Sequence, residues 1–302
     1  MNSILSYLTL MVLSFPVLGT LSVPLFRRWY PQRPLVGTMV FFTLAFVSSF
    51  ILLFLAAGQG SARHFVSSLF GFGVYIDLLT AGALVIVSVV SLQTILCSPR
   101  LWSIRDGFVS LVIFSLSCLA LSALLLSDNL LTFLLFWTLI DVGAFYGQEW
   151  EPERTRQMRW RAFLTLQTAS LIVLAAVGIL SKSIETTDFA YLVSEKHAVN
   201  PLLLTWVMVI TFVGVGFKTA GFPYSFWSAV ATASSSALPQ FPLIYGISAV
   251  LPGIYLLTRL HPVLERTLVP IPLVLAAAVV AGFAAFPLFE PRNQQDPVVE
   301  KG

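Results

Sequence analysis

Residues 212–227 read FVGVGFKTAGFPYSFW and set one lysine, Lys218, among uncharged and mostly apolar neighbours. The lysine lies near the end of an apolar run at 200–220. A run of about 20 such residues crosses the ~30 Å hydrocarbon core of a bilayer as one helix. Outward from it, comparable runs recur near 4–25, 36–57, 77–97, 108–127, 130–147, 161–181, 223–258 and 268–289, separated by short polar pieces. Across 302 residues, 57% are hydrophobic and only 10% charged. A soluble domain carries roughly 25% charged residues. The sequence therefore predicts an all-α polytopic membrane protein with about nine transmembrane helices.

The run at 223–258 is too long for one span and contains Pro223, Pro239, Pro242 and Pro252 together with ASSSALPQFP at 233–242. It reads as one proline-broken helix. The first run is too long for a removable signal peptide and lacks a small-residue cleavage site, so it stays as a membrane helix. The polar pieces at 148–160 and 182–200 are too short to hold a core of their own. Residues 1–290 are thus expected to form a single helical bundle, and 291–302 a polar tail.

Cations in alternate loops are unequal. One side collects Arg27, Arg28, Arg33, Arg100, Arg105, Arg154, Arg156, Arg159, Arg161, Arg292 and Lys301; the other collects Arg63, Lys182, Lys196, Arg259 and Arg266. The richer side faces the cytoplasm by the positive-inside rule, which puts the N-terminus outside and the C-terminus inside a cell inner (cytoplasmic) membrane. Basic loops beside a membrane find phospholipid as their simplest partner. Nothing in the sequence points to nucleic acid. His64, His197 and His261 are scattered, Cys97 and Cys118 lack a CxxC spacing, and there is no GxGxxG, phosphate-binding loop or catalytic acid pair. No metal, no cofactor and no redox or hydrolytic chemistry are expected from this chain, so no catalytic residue is assigned.

A charge inside the hydrocarbon costs at least ~2.5 kcal/mol and usually faces a bundle interior, a partner charge or water. Two residues qualify: Lys218, and Asp141 within LLTFLLFWTLIDVGAFYG. Lys218 is either a snorkelling side chain at a helix end or a protonatable amine of a proton relay, with Asp141 as the carboxylate deep enough to pair with it. Asp141 alone also fits a structural hydrogen-bonding role. Asp77 and Asp128 fall at span ends, where helix capping or an interfacial position is the simpler reading. The hydroxyls of ATASSSALPQ, Ser235 among them, either line a cavity beside the broken helix or pack helices closely.

The segments SALLLSDNLLTFLLFWTLIDVGAFYG, RAFLTLQTASLIVLAAVGIL, VGVGFKTAGFPYSFWSAV and LPQFPLIYGISAVLPGIYLLTR, preceded by YIDLLTAGALVIVSVVS, resemble in order and spacing the antiporter-like subunits of respiratory complex I and of Mrp-type cation/proton antiporters. The likeness covers most of 1–290. In that family a glutamate directly after a tryptophan in the fifth helix pairs with a lysine in the seventh. The lysine matches Lys218, but the glutamate position holds Thr138, after Trp137. A histidine of the family's broken helix matches Tyr245, and an acidic position of its sixth helix matches Ser170. Asp141 follows Thr138 on roughly the same helix face and offers a displaced carboxylate.

The resemblance implies a membrane subunit of a multi-subunit proton- or cation-translocating complex, with Lys218, Asp141, Tyr245, Thr138 and Ser235 along an ion path and other membrane subunits as partners. Relatives in the family pair with a soluble zinc-containing protein in proton-coupled inorganic-carbon uptake, which gives a second reading. A non-transporting structural subunit is the third. Family members continue through a second inverted repeat, so this sequence is expected to supply a single half-unit.

Overall fold

Lipid offers no partner for a free backbone N–H or C=O, and a helix satisfies both internally, so long apolar sequence becomes helix here. The computed structural model describes residues 2–29, 35–59, 62–65, 73–97, 107–146, 153–184, 186–189, 200–219 and 241–264. Within them the elements are α1 (Asn2–Trp29), α2 (Val36–Gln59), β1 (Ala62–Phe65), β2 (Gly73–Ile76), α3 (Leu78–Cys97), α4 (Gly107–Leu126), α5 (Leu130–Tyr146), α6 (Glu153–Ile184), α7 (Pro201–Lys218) and α8 (Phe241–Leu264). Five helices contain stretches long and apolar enough to cross a membrane: Ile4–Trp29, Val36–Gly58, Leu78–Leu96, Phe163–Ser183 and Pro201–Lys218. Shorter apolar stretches, Leu111–Leu126 and Leu130–Gly143, lie in α4 and α5.

The first seven apolar runs each coincide with a helix. Three features depart from the sequence reading. β1 and β2 pair antiparallel, Ala62 opposite Ile76 and Phe65 opposite Gly73, in a loop where helical periodicity gives no signal. α6 begins at Glu153, ahead of its apolar run, because the polar stretch ERTRQMRW continues the same helix. α8 runs on to Leu264, so Arg259, counted above as a loop cation, sits inside a helix and is only 9% exposed. The expected break with its prolines at 223–240, the last run at 268–289 and the tail 291–302 lie outside the described residues.

α1 lies along α2, α2 along α3, α4 along α5 and α6 along α7, while α8 touches α3, α4, α5 and α7. Leu52, Leu84, Leu124, Phe133, Val173, Met208 and Leu256 form part of the buried core. Val40, Val47 and Phe54 of α2 and Leu164 and Leu171 of α6 face outward. Apolar residues on both faces are normal where lipid, not water, surrounds the bundle, and helix contact then relies on packing and hydroxyls. Such hydroxyls join helices here: Ser49 to Ser88 at 2.8 Å, Ser91 to the Cys118 thiol at 3.2 Å, Thr20 to Ser115, and Thr38 to the Gly19 carbonyl at 2.9 Å.

Side-chain caps close the first turns. Asn200 Oδ1 accepts from Leu202 N ahead of Pro201, and Asn129 Oδ1 accepts from Leu131 N. Asp77 Oδ1 accepts from Thr80 N, the capping role the sequence suggested for it. The hairpin comes close to the α4–α5 connection: a Cβ on Gly73 would collide with the Asp128 carboxylate.

Candidate functional site

Lys218 is the final residue of α7 and is only 1% exposed, so it does not reach an interface as a snorkelling side chain does. The approach of α7 to α6 explains why. A Cβ on Gly214, one turn earlier on the same face, would lie 2.5 Å from Val173 Cγ2 and 3.2 Å from the Ala169 carbonyl. Glycine there brings α7 close enough to α6 for Lys218 Nζ to donate to Ser170 Oγ at 2.7 Å. From the other side, Nζ donates to Asp141 Oδ2 of α5 at 2.6 Å. Asp141 is itself buried, at 6% exposure.

α5 contributes a second contact through helical spacing. Trp137 lies one turn before Asp141 on the same face, and Nζ sits 4.7 Å from the centroid of its indole. An ammonium has three donors and no acceptor. Among the described residues, a carboxylate, a hydroxyl and an aromatic face lie around Nζ. Ser170 passes its own hydrogen back to the Leu166 carbonyl at 3.0 Å, which fixes its oxygen as the acceptor toward Lys218. Three helices therefore converge on one buried charge.

Thr138 is half-buried, and its hydroxyl donates to the Leu134 carbonyl at 2.8 Å within α5. The carboxylate that meets Lys218 is one turn further along. Tyr245 lies in α8, but its side chain is outside the described residues, as is Ser235. Among the described residues no group of three or more His, Cys, Asp or Glu side chains is arranged to hold a metal ion.

A second ion pair, partly buried, is one that sequence reasoning missed. Arg259 of α8 grips Asp77 with both ends of its fork, Nη1 to Oδ2 at 2.6 Å and Nη2 to Oδ1 at 2.9 Å. Nη2 also donates to Thr80 Oγ1 at 2.6 Å and to the Tyr255 hydroxyl at 2.8 Å, and Nε to that hydroxyl at 3.1 Å. The Tyr255 hydroxyl in turn donates to the Leu125 carbonyl of α4 at 2.7 Å. The guanidinium carbon lies 4.4 Å from the Tyr75 ring centroid. The cluster ties β2, α3, α4 and α8 together. Its signal in the sequence is an arginine in the apolar YLLTRL and an aspartate opening another span.

Residues 127–286, more than half of the chain, match the family described as NADH:quinone oxidoreductase/Mrp antiporter, TM. The chain belongs to this family. Curated relatives include NAD(P)H-quinone oxidoreductase subunit 5, chloroplastic, of Poa pratensis, 25% identical over 70% of this chain and 30% of the relative. The protein of that name from Glycine max is 27% identical over 63% of this chain and 26% of the relative. The chain thus spans about a third or less of the curated relatives' length. Similar folds occur in the membrane-bound sulfane sulfur reductase, an archaeal respiratory membrane complex, with TM-score 0.73 and 13% identity over 92% of this chain and 57% of that one. The Mrp complex from Dietzia sp. gives TM-score 0.64 and 16% identity over 85% and 48%. Respiratory complex I from Thermus thermophilus gives TM-score 0.62 and 18% identity over 91% and 57%. These likenesses show the antiporter-like fold of a multi-pass membrane protein.

Proposed function

We propose that the chain is a membrane subunit of a multi-subunit proton- or cation-translocating complex, and that Lys218 and Asp141 hold the transferable proton. The observation that carries this reading is the placement of a lysine ammonium 2.6 Å from a carboxylate inside the bundle, with a hydroxyl from a third helix at 2.7 Å. Two ions stripped of water are expensive, and apolar residues of similar volume often pack as well or better. A pair kept at membrane depth is therefore a candidate for work that needs charge. At this separation the proton shifts from Nζ to Oδ2 as the N–H bond breaks and the O–H bond forms, with little movement of heavy atoms. The buried pair is thereby converted between charged and neutral forms. Release of the proton from Oδ2 leaves a neutral amine beside a carboxylate, and uptake of a proton at Nζ restores the charged pair.

The family membership and the three structural likenesses support other membrane subunits as partners. The arginine-rich loop side is assigned to the cytoplasm in this reading. Tyr245 and Ser235 are further path residues in this reading. A structural, non-transporting role has one observation in its favour: the Thr138 hydroxyl is taken by its own helix.

The test is proton flux. The full chain, purified with its co-purifying subunits, is reconstituted in vesicles containing a pH-sensitive dye, and a potential is applied. Lys218→Ala and Asp141→Asn should each lower flux by about 100-fold, the scale of a lost acid–base group. Flux unchanged in both variants rejects the reading and leaves the structural role. The co-purifying proteins then distinguish a redox complex, an antiporter assembly, and an inorganic-carbon uptake complex with a soluble zinc-containing partner.

A further inference from the structure

The two ion pairs are joined by a column of rings. Tyr255, whose hydroxyl is held by Arg259, stacks on Phe133 with centroids 6.1 Å apart and planes 8° from parallel. Phe133 meets Trp137 edge to face at 5.5 Å and 82°. Trp137 presents its face to Lys218 at 4.7 Å. Phe133, Trp137 and Tyr255 are each at most 2% exposed, so none has an empty side into which to relax. A second connection runs through α8 itself: a Cβ on Gly253 would collide with Thr219, the neighbour of Lys218, and would approach Val215 Cγ1 to 3.0 Å. α8 thus touches α7 beside Lys218 and, further along, carries Tyr255 and Arg259 into the other cluster.

We infer that Asp77, Arg259 and Tyr255 are positioning residues for Lys218: their fork fixes α8 and the Tyr255 ring, and through Phe133 sets the Trp137 face against the ammonium. The importance of that setting to transport rests on the proton-holding role proposed above; the positioning itself does not. A cation–π contact is worth about 0.5–2 kcal/mol and depends on the charge lying over the ring face. Displacing the indole removes that contact and changes the ring field felt at Lys218 Cε. Among the described residues, the ionisable group bonded to Lys218 is Asp141 of α5, and α6 supplies Ser170. Lys182 of α6 is exposed in its last turn, and the α8 charges Arg259 and His261 lie in its final turns, Arg259 engaged with Asp77.

The chain has four lysines, Lys182, Lys196, Lys218 and Lys301, so lysine labelled with carbon-13 at Cε gives few signals, and Lys218→Arg identifies the one of interest. The full chain, with its co-purifying subunits in lipid nanodiscs, is measured by NMR. Asp77→Asn and Tyr255→Phe should move the Lys218 resonance, because the Trp137 ring face that acts on it shifts. Ser49→Ala, which removes a buried interhelical hydrogen bond away from the column, should leave it in place. Phe133→Leu should reproduce the shift, and adding Asp77→Asn to it should move the resonance little further, since the link is already cut. If Asp77→Asn does not fold, Tyr255→Phe and Phe133→Leu decide. An unmoved Lys218 signal in folded column variants, an equal shift from Ser49→Ala, or full additivity overturns the inference. The readout is independent of flux, so a failure of the transport reading leaves it standing and a failure here leaves the flux result standing.

Discussion

Asp141→Asn keeps the size of the side chain and removes its charge, leaving the Lys218 ammonium, 1% exposed, without a counter-ion. Removing one member of a buried pair costs about 3–5 kcal/mol because the other charge stays desolvated. The asparagine carbonyl can still accept from Nζ, which recovers about 1 kcal/mol. The Ser170 bond and the Trp137 face remain in both proteins and cancel. The net expectation is a loss of about 2–4 kcal/mol. Ordinary interhelical hydrogen bonds in membranes average only about 0.6 kcal/mol, so the measurement separates an ion pair from mere helix glue. The double variant Asp141→Leu with Lys218→Met removes both polar groups and should lie within about 1–2 kcal/mol of the parent, giving strong non-additivity. Unfolding in mixed lipid–detergent micelles by titration with a denaturing detergent supplies the free energies. A cost below about 1 kcal/mol for Asp141→Asn, or single-variant costs that simply add, would refute the claim that these two groups hold each other as ions.

Three further outcomes follow from the same contacts. Ser170→Ala removes one of the acceptors of Nζ and should cost about 1–2 kcal/mol in the same unfolding titration, with a smaller drop in flux than Lys218→Ala gives. Arg259→Lys should fail to restore what Arg259→Ala loses: an ammonium cannot span both Asp77 oxygens, Thr80 and Tyr255, so thermal melts of the two should lie closer to each other than to the parent. Gly214→Ala should force α6 and α7 apart at a cost of about 1–3 kcal/mol, and Val173→Ala should relieve it because the Val173 methyl is what the new Cβ meets; melting of the single and double variants checks the rescue.

The bundle was legible because a bilayer enforces helices on any apolar run of sufficient length, and seven runs from 4–25 to 200–220 appear as helices, six of them within a few residues of their ends and α6 with a polar N-terminal extension. Lys218 and Asp141 were legible for a related reason: a charge in such a run is costly enough to stand out from its neighbours. Their contact was not, because it depends on how closely α7 approaches α6 and how α5 is rotated, and Gly214 sets the first of these through its missing side chain. Trp137 looked like one more apolar aromatic; its role over the ammonium depends on a position on α5 that only packing defines. Asp77 and Arg259 sat at opposite ends of the sequence reading, one as a helix cap and the other as a loop cation, separated by most of the chain. The sequence alone determined which segments leave water and which charges must find company there. The company itself, Ser170 and Trp137 for Lys218 and Tyr255 with Asp77 for Arg259, was decided by tertiary structure, because a buried charge is satisfied by distance and direction in space.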